Sequence, residues 1–139
     1  MTKIELNVGL KIGTLGILDF NKTKARILEL YSSLQADDSE IYFQYQEGKY
    51  LSDGITQTEP TMVVELFVAY REDIAEALLN TTKILCKETF QECIALFITF
   101  QYSDPKGVLV YNENYRGTFQ EFDMQYFLPY KSHVIKYNY

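Results

Sequence analysis

Residues 61–70 read TMVVELFVAY, a strand-length run that is apolar on both of its alternating faces and broken by a single charge, Glu65. A strand greasy on both sides is covered on both sides, which places it in the interior of a sheet. Immediately after it, Arg71-Glu72-Asp73 opens a helix expected over 72–88. Ile74, Leu78 and Leu85 form one face, with Ala75, Leu79 and Cys86 alongside. Acids in the first turn and Lys83 and Lys87 near the end complement the helix dipole.

On the other side of the run, Pro60 is preceded by a polar stretch, 52–59, and by the turn pairs Glu47-Gly48 and Asp53-Gly54. Those signals predict a surface loop over 48–58. Upstream, Tyr42, Phe43 and Tyr45 mark a strand over 41–46. Ile27, Leu28, Tyr31 and Leu34 follow helical spacing over 22–35, with Asp19 or Asn21 placed to cap it. Residues 3–10 alternate, with Ile4, Leu6, Val8 and Leu10 on one side, as a half-buried strand does. Downstream of the second helix, ECIALFITFQY at 92–102 is another strand. The turn SDPKG at 103–107 then leads to a short partner at 108–111.

The order β-α-β-β-α-β with right-handed crossovers puts both helices on one face of an antiparallel sheet. The expected fold is α+β, a ferredoxin-like βαββαβ sandwich with a C-terminal strand and an aromatic tail added. The domain is expected over 1–112 and the tail over 113–139. In the tail, Thr118 and Glu121 form a capping box for a helix at 119–127, although Phe122, Met124, Tyr126 and Leu128 also alternate. Met62, Val64, Leu66, Ile94, Leu96 and Ile98 would face the helices, leaving Val63, Phe67, Ala95 and Phe97 on the opposite side. An apolar sheet face of that kind calls for a cover, either the tail or a second copy of the chain.

The 139 residues carry a net charge of −6. An acidic chain is poorly suited to phosphate backbones or anionic membranes, so neither nucleic acid nor membrane is an expected partner. No apolar run is long enough to span a bilayer, and MTKIELNVGL lacks the pattern of a secretory leader. Cys86 and Cys93 fit no disulfide framework or zinc spacing and read as buried apolar residues in a reducing cytoplasm. With 12 Tyr, 9 Phe and no Trp, the chain is rich in side chains that suit both strands and interfaces.

The search for chemistry yields little. There is no nucleotide-binding glycine loop, nucleophile elbow, zinc-binding HExxH or calcium loop, so no catalytic residue, cofactor or metal is expected. Asp37, Asp38 and Glu40, and likewise Glu88 and Glu92, fall at helix ends or turns and read as solvated acids. His133 stands alone in the tail. Glu65, inside an apolar strand, needs a partner; Lys3, Lys11 or a tail tyrosine would serve. Surface contacts are expected at loop 48–58 and at Tyr115, Tyr126, Tyr130, Tyr137 and Tyr139, together with Glu65.

Three segments, ELNVGL at 5–10, EPTMVVEL at 59–66 and QECIAL at 91–96, resemble stretches of short uncharacterised proteins of phages, plasmids and other mobile elements. The resemblance covers about residues 3–112 and implies an accessory protein of a mobile element, with no catalytic residue to carry over. The leading expectation is therefore a non-enzymatic protein–protein interaction module, with a counter-defence or regulatory role, binding another protein or itself as a homodimer. A small-ligand-binding, ACT-like regulatory domain comes second. A small enzyme using Glu65 as acid or base comes third.

Overall fold

The computed structural model describes residues 2–12, 16–52, 54–99 and 106–112. The tail, with its expected helix and the five tyrosines named above, lies outside the described residues.

A five-stranded antiparallel sheet and two helices make up an α+β fold. The strands are β1 (Thr2–Gly9), β4 (Tyr42–Ser52), β5 (Ile55–Val68), β6 (Cys93–Thr99) and β7 (Lys106–Tyr111), in the spatial order β4-β5-β1-β6-β7. A separate two-residue pair, β2 (Lys11–Ile12) and β3 (Gly16–Ile17), lies between β1 and the first helix. The sheet thus departs from a plain four-stranded βαββαβ by that small hairpin and by β7 at one edge. The central position goes to β1, whose neighbours are β5 and β6.

Helix α1 (Phe20–Tyr31) begins where Asp19 Oδ1 accepts the Lys22 N–H at 2.8 Å. It stops at Tyr31, earlier than the apolar spacing suggests, and the chain crosses to bridge Gln35 to Val68. Helix α2 (Ile74–Glu88) follows β5 after a short turn. Ile27 and Tyr31 of α1 and Leu78, Leu85 and Cys86 of α2 pack with Ile4, Leu6, Val8, Met62, Val64, Leu66, Ile94 and Leu96 in one apolar cluster. Both helices therefore cover the same sheet face. Inside this core the Tyr31 and Thr82 hydroxyls share a hydrogen bond of 2.8 Å, joining the helices where an unpaired hydroxyl would be costly. At the surface, Arg26 grips both carboxylate oxygens of Glu88 at 2.7 and 2.8 Å. That pairing draws the Arg26 pKa upward and the Glu88 pKa downward.

The loop expected at 48–58 is instead a continuous hairpin. Lys49 pairs with Thr58 and Ser52 with Ile55, and Gly54 supplies the positive φ of the turn. Gly54 follows a run with the strand formers Tyr50 and Leu51 and precedes one with Ile55 and Thr56, so the chain pairs on both sides of it. Gly48 is not a turn residue: it sits within β4, where an added Cβ would come within 2.7 Å of Thr61 Oγ1.

On the sheet face away from the helices, Cys93, Ala95, Phe97 and Leu109 form a second apolar cluster with Tyr111 against it. The cover expected from the tail lies outside the described residues.

Candidate functional site

Where β1 ends, β5 leaves the arm and β6 begins, four polar side chains are buried together in sequence-distant company: Glu59, Gln91, Glu92 and Asn112. Their placement follows from local backbone chemistry. Helix α2 closes with Thr89 as its cap residue, then Phe90 at φ +54°. Phe90 N–H donates to Lys87 O and Gln91 N–H to Cys86 O, both at 3.2 Å, which is the paired bonding of a Schellman turn. The left-handed residue of that turn is ordinarily glycine, because a Cβ there costs about 1 kcal/mol.

The turn throws Gln91 inward. Its Nε2 donates to Lys11 O and to Thr89 O, each at 3.1 Å. Its Oε1, and the carboxylate of Glu59, lie against the Cα of Gly9, so closely that a Cβ on that residue would overlap both. Gly9 therefore makes room for the two side chains. The neighbouring backbone is held by Leu10 N–H to Pro60 O at 2.9 Å and by Asn112 N–H to Glu92 O at 2.8 Å.

The electrostatics are unusual. Glu59 and Glu92 are 8% and 7% exposed. Burial raises the Glu59 pKa, opposed by the Lys11 backbone N–H bonded to its carboxylate and by the Lys11 charge. Glu92 is pushed up to about 7, first by burial and then by the Glu59 charge. Among the described residues, Glu92 Oε1 has no hydrogen-bond partner. Such an atom costs the fold free energy unless something is meant to meet it. Nearby, burial pushes the Cys86 thiol up to about 12 and raises the Cys93 thiol well above its ordinary value, with Glu92 adding to both. Neither thiol is a nucleophile at neutral pH. Among the described residues no group of three or more His, Cys, Asp or Glu is arranged to hold a metal ion.

The sequence had read Glu92 as a solvated acid at a helix end; it is buried, because the Schellman turn redirects the chain into β6. Glu59 had been assigned to the polar stretch of a loop. It lies instead in β5, at the level where that strand parts from β1. The available signal was the glycine at position 9, ending a strand with no turn of its own to make. Glu65 lies elsewhere, six residues on from Glu59 and about 20 Å along the strand. Its Oε1 is 3.5 Å from Lys3 Nζ on the sheet face away from the helices, half-exposed. Lys11, the other partner considered for it, is beside Glu59. The tyrosines at 115, 126, 130, 137 and 139 are outside the described residues, while loop 48–58 has become the hairpin arm.

Two solved structures of a phage SAM lyase share this fold. One, in complex with S-methyl-5'-thioadenosine, aligns with a TM-score of 0.60 at 16% identity. The other, in the apo state, aligns with a TM-score of 0.61 at 17% identity. In each case the match covers 83% of this chain and 92% of that chain. No family model matches the sequence, and no curated protein does.

The expectation of a non-enzymatic interaction module is corrected by this finding, since both of these solved structures, which share this fold, are those of an enzyme. The interaction reading drew on the acidic, tyrosine-rich composition, the apolar sheet face and the resemblance to mobile-element proteins, together with the lack of catalytic motifs. Two carboxylates brought together from β5 and from the turn before β6 leave no such motif. The ACT-like alternative and the Glu65 acid/base alternative gain no support either. No described helix is long and apolar enough to cross a membrane.

Proposed function

We propose that this chain cleaves S-adenosylmethionine to S-methyl-5'-thioadenosine at the Glu59–Glu92 end of the sheet. The observation that carries the reading is the pair of buried carboxylates, one with an oxygen lacking a partner among the described residues, in a fold that an S-adenosylmethionine lyase also has. A sulfonium is a permanent cation with no proton to donate. What recognises it is negative potential in a low-dielectric setting, which two buried acids supply.

The product defines the bond. S-methyl-5'-thioadenosine keeps the methyl and adenosyl groups, so the bond from sulfur to the four-carbon amino acid chain breaks and its electron pair goes to sulfur. A lyase does this without water. The fragment is completed either by closure of its own carboxylate onto the carbon that leaves sulfur or by loss of a proton from the adjacent carbon. Glu59 contributes negative charge held in place by the Lys11 N–H. Glu92, with a pKa near 7, is present in both protonation states at neutral pH and suits proton exchange. The strand order is further read as a ferredoxin-like sandwich with an added edge strand, and the chain as the product of a mobile element, on the segments quoted above.

The test is to incubate the purified chain with S-adenosylmethionine and follow products by chromatography and mass spectrometry. S-methyl-5'-thioadenosine should accumulate well above the protein-free control, mole for mole with substrate lost, and magnetic resonance of the four-carbon product separates closure from proton loss. Glu59→Gln and Glu92→Gln should each abolish the excess. Substrate decay at the protein-free rate, with no binding of the thioadenosine, would end the proposal.

A further inference from the structure

Phe90 combines features that a purely structural residue does not need. It occupies the left-handed position of a Schellman turn, at φ +54°, where glycine is the unstrained choice. The residue is 69% exposed, so the strain is not offset by burial. It immediately precedes Gln91 and Glu92, both buried in the candidate site. Strained, exposed aromatic residues beside buried polar groups are found where a ligand supplies the missing contact.

We infer that Phe90 is a stacking platform for the adenine ring of the nucleoside bound at the Glu59–Glu92 site. The inference rests on the function proposed above and adds a specificity-determining residue to it. The buried acids account for the cationic end of S-adenosylmethionine but offer nothing to its base, which is flat, apolar on its faces and well matched to an exposed phenyl ring. Phe90 is rigidly presented, because both hydrogen bonds of the turn fix its backbone. It touches no reacting atom and acts by holding the nucleoside in place.

The experiment uses the full chain with Phe90→Gly and, as a second variant, Phe90→Asn, since both residues tolerate the left-handed backbone. Binding of S-methyl-5'-thioadenosine is measured by calorimetry and thermal unfolding is recorded alongside. Both variants should melt at or above the temperature of the parent chain, while affinity for the thioadenosine falls about five- to hundredfold. Phe90→Tyr, which keeps the ring, should bind within about twofold of the parent. Unchanged affinity in the glycine and asparagine variants would overturn the inference, as would a lowered melting temperature, which would make the ring part of the packing. Failure of the parent chain itself to bind the thioadenosine would instead count against the function on which the inference rests.

Discussion

Replacing Glu92 by glutamine should make the protein more stable in alkaline solution and leave its stability unchanged in acid. The folded state raises the Glu92 pKa from 4.5 to about 7 by burying the carboxyl beside Glu59. The fold therefore holds the proton more tightly than the unfolded chain does. The associated stabilisation is complete below the unfolded value and is lost as pH rises through about 7. Taken at face value the shift corresponds to about 3 kcal/mol. Allowing half for screening by water leaves about 1.5 kcal/mol. With an unfolding entropy of about 0.3 kcal/mol/K for a chain of 139 residues, this corresponds to about 5 °C. Thermal unfolding of the parent and Glu92→Gln should thus differ by about 5 °C at pH 8 and by about 1 °C or less at pH 4.5. A difference independent of pH, or a variant that melts lower at pH 8, would show that Glu92 is not a buried, electrostatically crowded acid and would remove the basis of the site.

Three further changes probe the same end of the sheet and the core beneath it. Glu59→Gln removes the neighbouring charge, so the Glu92 titration, followed by carbon magnetic resonance, should move down from about 7 without reaching 4.5, since burial remains. Gly9→Ala would drive a Cβ into the side-chain oxygens of Glu59 and Gln91; a loss of about 1–3 kcal/mol in urea unfolding is expected, with loss of thioadenosine formation. Tyr31→Phe strands the Thr82 hydroxyl inside the core and should cost about 1–2 kcal/mol, read in the same urea experiment, while leaving product formation intact.

Much of the fold was written in periodicity. The alternation of Ile4, Leu6 and Val8, the two-sided apolarity of 61–70 and the helical spacing from Ile74 to Cys86 each determine an element, because one-dimensional period and burial face are linked by backbone geometry. The helix-facing set Met62, Val64, Leu66, Ile94 and Leu96 is buried in the helix-side cluster. Turn chemistry was less legible. Glu47-Gly48 and Asp53-Gly54 look alike in sequence, yet only Gly54 turns the chain at positive φ, while Gly48 makes room for Thr61. That distinction depends on a cross-strand neighbour, which local sequence does not contain. The end of α1 differs for a related reason: Leu34 is buried in the turn that follows Tyr31, where its N–H still bonds Tyr31 O, so the apolar spacing runs past the last helical residue.

The acids were harder still, because an acidic residue is read from its sequence neighbours and buried by its spatial ones. Glu88 and Glu92 are one helical turn apart in sequence and were given one interpretation. Glu88 is outside, held by Arg26; Glu92 is inside, beyond a backbone turn whose left-handed residue is a phenylalanine. Here three departures from local preference meet: a strained Phe90, a carboxylate oxygen on Glu92 without a partner among the described residues, and a Gly9 pressed against two side chains. A glycine at 90 would relieve the first, and a glutamine at 92 would remove the buried charge of the second. Asp38 also has a positive φ, but an aspartate tolerates that backbone, whereas the strain at Phe90 coincides with two buried carboxylates, and that coincidence is what the proposed site rests on. Glu65 shows the contrast: it lies opposite Glu5 across the β1–β5 ladder, but Lys3 is within 3.5 Å and its side chain is half open to solvent.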